Sequence, residues 1–364
     1  LTPMPGLLEA LHARPEELGA VGSGALSGLG GIAYALAETA RLLDDPEVDT
    51  WASGALRLAA AATGAEPEYG VGAGLAGGLV ALSAVRGGRT DPGTGTRRGG
   101  GPGADPGPGA DPEIARAARA CADRLVAAAH SVAGTGPAHA ELAALGRGFT
   151  QGAAGIGWAL LRFAEAETQA TGGGAAETAG GAGSQGAERY RLAGLSAIRA
   201  AVAAGSPDGG PGPGGGRRGA SAPAPGAGRA GTARAWAWCR GDAGVALAVL
   251  DAPGALADPH LAAWARETAG RLGQNGAAPD DSLCHGEAGL CELLGHTALL
   301  DARPHWLRRA GALLASVEEN DARSGAPDGV PHPGLLTGLA GIGHGLLRAG
   351  FPERVPSLLL LRTP

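Results

Sequence analysis

Lysine is missing altogether. All 29 basic residues are arginine, which removes Schiff-base chemistry and any Walker-type phosphate lysine. The arginine bias reads as compositional rather than as a phosphate site. Cysteine is scarce, four in 364 residues, too few for a disulfide scaffold, so reduced thiols are the default. Aromatic residues make up only 3%. The core must therefore be built from Ala, Leu, Val and Gly, small side chains that suit closely packed helices. No apolar run is long enough to span a membrane, and the run Leu358–Leu361 is far too short. Positive charge is not in excess either, with a net charge of −6. That argues against a nucleic-acid surface, which needs clustered basic residues. The opening Leu1-Thr2-Pro3-Met4 lacks the basic and apolar stretches of a signal peptide. A start on Leu points to a piece of something longer, and the expected location is cytoplasmic.

Glycine and proline are plentiful, 68 and 26 residues. Spread evenly, that composition would read as disorder. Instead, much of it falls in three tracts, at about 87–112, 171–187 and 205–231. None can bury enough apolar surface to offset the entropy of ordering. They read as surface insertions in one domain covering 1–364, because the same motif recurs on both sides of each.

That motif is Gly-x-x-Gly followed by an apolar helical run, and it occurs six times. Its first glycines are Gly28, Gly74, Gly152, Gly241, Gly286 and Gly338, at successive gaps of 46, 78, 89, 45 and 52. The two long gaps hold the tracts. Between motifs lie Ala/Leu-rich segments of helical period, at 113–131, 190–204, 260–273 and 305–318. Alternating β-branched runs are few. Each unit then reads as an outer helix, a loop, a Gly-x-x-Gly turn and an inner helix. Glycine there permits positive φ and close backbone approach. Six to seven such helix pairs, closed on themselves, give an all-α α/α toroid; an open solenoid is the alternative.

Ser27, Ala73, Gln151, Arg240, His285 and Thr337 precede the first glycines and point at a shared centre. Two turns also carry cysteine: Trp238-Cys239-Arg240-Gly241 and Cys284-His285-Gly286. Two cysteines and one histidine at equivalent turns form a zinc constellation with one position open, the pattern of catalytic zinc. Cys121 and Cys291 read as small buried hydrophobes. Trp236 and Trp238 read as a wall around the metal, one that also suits an apolar peptide ring. His139 and His344 read as surface or cap residues.

These residues also carry a family likeness. WCRG at 238–241, CHGEAG at 284–289, GFTQGAAGIGWALLRF at 148–163 and LLTGLAGIGHGLLRAGFPERVPSLLLL at 335–361 resemble the lanthionine synthetase C-like (LanC) cyclases. The likeness is greater to the C-terminal cyclase domain of LanM lanthipeptide synthetases. The resemblance covers nearly the whole chain apart from the tracts. It implies an α/α toroid, Zn2+ held by Cys239, Cys284 and His285, and a dehydrated precursor peptide as partner. A LanM dehydratase domain would be a second partner, although no such segment lies in these 364 residues. The implied reaction adds a peptide Cys thiol to dehydroalanine or dehydrobutyrine, closing a thioether ring. The family places a proton-transferring His where this chain has Gln151, and an Asp where it has Gly70. Glu66, Glu68 and Tyr69 lie close to that Asp position, but they read as loop residues, the glutamates as solvated charges. Two rival readings follow: a degenerate domain that binds zinc and thiol peptide with little turnover, and another α/α-barrel zinc enzyme that alkylates thiols.

Overall fold

A computed structural model describes residue 6 and residues 21–87, 111–134, 145–172, 182–205, 236–274, 277–296, 299 and 303–362. Among the described residues the chain is all-helical, with twelve helices and no strand. This agrees with the α/α architecture expected from the periodicity. The chain divides into two compact units: Leu1–Leu142 with Ala159–Gly194 and Leu358–Thr363, and Ala143–Trp158 with Leu195–Ser357.

Six helices begin immediately after the first glycine of a motif. They are α1 (Leu29–Leu43), α3 (Leu75–Gly87), α5 (Ala153–Gly172), α7 (Asp242–Asp251), α10 (Glu287–Leu294) and α12 (Leu339–Gly350). Between them lie α2 (Pro46–Ala62), α4 (Pro112–Val132), α6 (Ala182–Ala203), the single turn α8 (Pro253–Leu256), α9 (Pro259–Gln274) and α11 (Arg303–Asn320). The two sets start by different physics. Helices α2, α4 and α9 open on Asp-Pro. Asp45, Asp111 and Asp258 accept from the backbone N–H groups of Glu47, Glu113 and His260 at 2.9, 2.9 and 3.0 Å. Proline at the first position gives up no needed donor. These helices are amphipathic: α4 buries Ile114, Ala118, Cys121, Ala122 and Leu125 at helical spacing.

The motif helices open on glycine with no side-chain cap. Their free N–H groups are satisfied by a loop that returns over the helix start. The N–H just past the first glycine donates to a carbonyl seven residues earlier: Leu29 to Gly22, Leu75 to Glu68, Ala153 to Gly146, Glu287 to Asp280 and Leu339 to His332, at 2.8–3.0 Å. The glycines are needed for close approach. A Cβ on Gly244 or Gly289 would overlap the carbonyl of Trp238 or Leu283, six residues back. Positive φ is not the reason, because Gly28, Gly241, Gly286 and Gly338 are extended, with φ between −136° and −99°. Helices α7 and α10 are buried along their whole lengths, which explains their Ala, Leu and Val content.

Neighbouring turns are stitched backbone to backbone within each unit. In the first unit, Gly24, Ala25 and Leu26 donate to Ala73, Val71 and Gly72 at 2.9–3.1 Å. Most of each Gly/Pro tract, at 88–110, 173–181 and 206–231, lies outside the described residues. The second tract ends earlier than its composition implied, since 182–187 form the start of α6. Alanine favours helix strongly enough to carry the isolated Gly183 and Gly186.

Candidate functional site

The site residues lie on turns three to five, all in the second unit. Thr150 donates to the Cys239 carbonyl from its backbone N–H at 3.0 Å and its hydroxyl at 3.1 Å. Trp238 N–H donates to the Cys284 carbonyl at 2.8 Å, and Cys284 N–H to Leu336 O at 2.9 Å. Equivalent positions of successive repeats are thereby tied side by side. A Cβ on Gly148 would run into the Cys239–Arg240 backbone, so glycine there permits the contact between turns.

This stitching brings Cys239 and Cys284 together as free thiols, near enough for each to shift the other's pKa. The Cys284 thiol holds Cys239 well below the ordinary thiol range, with His285 and Arg240 assisting and burial opposing. Cys284 is pushed up by its bond to Cys239 and by burial. His285 lies close enough to act on Cys239 electrostatically. Its Nδ1 meets Asp280 Oδ2 at 2.8 Å, and that carboxylate raises the imidazole pKa. Burial works against the Asp280 charge, but hydrogen bonds from His285 and Ser282 outweigh it and keep the carboxyl below its usual range.

The donor chemistry suits a thiophilic divalent ion: two adjoining sulfurs, and an imidazole whose Nδ1 is committed to a carboxylate, leaving Nε2 for a metal. Among the described residues, no three or more His, Cys, Asp or Glu side chains are gathered closely enough to hold an ion ready-made. What the structure brings together is the sulfur pair. Asp280 escaped the sequence reading. Its signal was available in Asp280-Asp281-Ser282 ahead of Cys284-His285, an Asx turn in which Asp280 accepts from Ser282 N–H at 2.8 Å.

Gln151 is exposed, and its Oε1 accepts from Arg240 Nη2 at 2.8 Å. Gly70 lies in the other unit, where its carbonyl accepts from Gly74 and Gly77. Trp236 and Trp238 are buried, and Phe149 packs between Trp238 and Trp158 at 5.1 and 4.9 Å. Cys121 and Cys291 are buried, and burial raises both thiols. His344 is half-buried and bonds through Nε2 to Pro356 O at 3.1 Å. His139 lies outside the described residues. Glu68 is exposed, but Glu66 is not the solvated charge its loop suggested. It is 3% exposed and accepts from Ser23 N–H at 2.7 Å.

Residues 225–360 match the family model of the lanthionine synthetase C-like proteins. The LanC-like segment holds Cys239, Cys284, His285 and Asp280, and leaves Gln151 and Gly70 outside it. Among curated proteins, none matches the chain. A LanC-like segment points to cyclase-type chemistry on peptides. No described helix is long and apolar enough to cross a membrane.

Proposed function

We propose that this chain is a zinc-dependent lanthionine cyclase domain, joining peptide cysteine thiols to dehydroalanine or dehydrobutyrine in a dehydrated precursor. The carrying observation is the Cys239–Cys284 thiol contact with His285 beside it in the LanC-like segment. Cys239, Cys284 and His285 are the residues that would hold the metal. Zinc, when bound, keeps the peptide thiol as thiolate, removing about 2 kcal/mol of ionisation cost at neutral pH. Asp280 fixes the His285 tautomer so that Nε2 is the free donor. The Trp236–Trp238 segment supplies an apolar wall for the peptide. The LanM-like tail at 335–361 makes a dehydratase domain the expected source of that peptide.

Proton delivery is the weak point of this site. Gln151 cannot transfer a proton, and its carbonyl is engaged by Arg240. General acid–base assistance is worth about 10²–10⁴ in rate, so water must deliver the proton and turnover should be slow. The same observation favours a second reading, a domain that holds zinc and thiol peptide with little turnover.

Metal analysis tests the first element. The purified chain should carry one zinc, and Cys284→Ala should lose it; one equivalent retained in Cys284→Ala would overturn the assignment. Replacement of Gln151 tests the second. Gln151→Ala should change cyclisation little, whereas Gln151→His should raise it, since an imidazole titrating near about 6.5 suits neutral-pH proton transfer. Adding Gly70→Asp should give more than either change alone. A fast wild type that Gln151→His leaves unchanged would mean that another residue supplies the proton.

A further inference from the structure

Four of the six motif turns place an apolar residue directly after the first glycine: Leu29, Leu75, Ala153 and Leu339. The two turns that carry cysteine place a carboxylate there, Asp242 and Glu287, each three residues after its cysteine. Both carboxylates are only 2% exposed. A buried carboxylate costs free energy unless it is paired, and the other four turns form without one directly after the first glycine.

The pairing is built in the same way twice. Asp242 accepts from Arg147 and, at 3.0 Å, from Arg271 on α9. Arg147 also donates to Ala201 O at 2.9 Å and lies over the Trp264 ring. Glu287 Oε1 accepts from Arg309 on α11 at 2.7 Å and from Ala278 N–H at 2.6 Å. Arg309 also donates to Leu272 O at 3.1 Å and lies over the Trp236 ring. Each cysteine-bearing turn is therefore fastened by an acid, an arginine, a backbone carbonyl and a tryptophan face.

We infer that Asp242 and Glu287 are positioning residues: two equivalent buried latches that fix the Cys239 and Cys284 turns so that their sulfurs meet. Apolar residues suffice where a turn needs only to start a helix. A charge-assisted, geometrically fixed bond is used where the turn must hold a thiol at a set place. The metal-binding consequence rests on the proposed zinc reading. The sulfur placement does not.

The test uses the full chain with Asp242→Asn, Glu287→Gln and Arg271→Gln. Arg271 is partly exposed, so its replacement spares the fold. Glu66→Gln, a buried carboxylate at a turn without cysteine, is the control. Zinc affinity is read by competition with a chromophoric chelator. In the metal-free chain, the rate of Cys239–Cys284 disulfide formation with diamide is read separately. Asp242→Asn and Glu287→Gln should weaken zinc by about 10–100-fold, the range for groups that orient metal ligands. They should also slow the disulfide by a similar factor. Arg271→Gln should give a smaller loss in both, and Glu66→Gln should leave both within about threefold of wild type. If all variants match wild type, or if Glu66→Gln loses as much as the latch variants, the inference is overturned. If the wild type binds no zinc, the zinc reading fails, and the disulfide rates alone decide whether the latches position the thiols.

Discussion

Glu66 lies in a loop whose composition, Ala-Glu-Pro-Glu-Tyr, reads as solvent-exposed, yet its carboxylate joins two turns of the first unit. Oε2 accepts from the Ser23 N–H and hydroxyl, and Oε1 from Glu68 N–H at 3.1 Å. Glu66→Gln replaces one acceptor oxygen with a donor facing donors. It should lower stability by about 1–3 kcal/mol, measured by denaturant unfolding; an unchanged midpoint would contradict the described bonding. Asp280 makes a matching case in the second unit. Asp280→Asn removes the charge that raises His285, so it should weaken zinc by about tenfold while leaving the fold intact. Equal affinity in the variant would mean that His285 is not oriented through Nδ1. Asp280 is legible in the sequence, since its partners Ser282 and His285 lie two and five residues away. Glu66 is not: its partner Ser23 lies 43 residues away, and residue type alone does not separate a solvated charge from a buried acceptor. The Cys239–Cys284 pairing is readable because both cysteines stand two residues before the first glycine of a motif.

The turn-and-helix unit was the most legible feature, because spacing alone carries it. Glycine at both motif positions, an apolar run after them and Asp-Pro before several packing helices are local signals. What spacing could not reveal was why the glycines are there. The first glycines are extended, and the requirement is the carbonyl that passes over each helix start. Two substitutions separate these explanations. Gly→Ala inside a helix ordinarily gains about 0.5–1 kcal/mol. Gly270→Ala in α9, where a Cβ would meet nothing, should show that gain. Gly244→Ala in α7 should instead destabilise by about 1–3 kcal/mol or more, since its Cβ would overlap Trp238 O. Thermal unfolding of the pair gives shifts of opposite sign; a stabilised Gly244→Ala would remove the close-approach account. Composition draws the second tract too far, because Ala-rich sequence flanking glycine is helical at 182–187.

For the molecule as a whole, the six turns share one construction, but chemistry-bearing residues concentrate on those of the second unit. The LanC-like match, 225–360, takes in turns four to six of that unit but not turn three. All-helical architecture followed from composition and periodicity. The proposed reaction rests on the residues at the turns, and under that proposal Gln151 and Gly70 leave proton transfer to water. Under the proposed function, this chain closes thioethers by a metal-activated thiol without an enzymic proton donor. The most direct measurement is the count of free thiols over time in a synthetic peptide bearing one cysteine and one dehydroalanine. It is made with the zinc-loaded chain, with the chelated chain and with no protein. The account predicts slow thiol loss with the zinc-loaded chain, abolished by chelation and restored by added zinc. Thiol loss no faster than in the protein-free sample, or loss that chelation leaves unchanged, would contradict it.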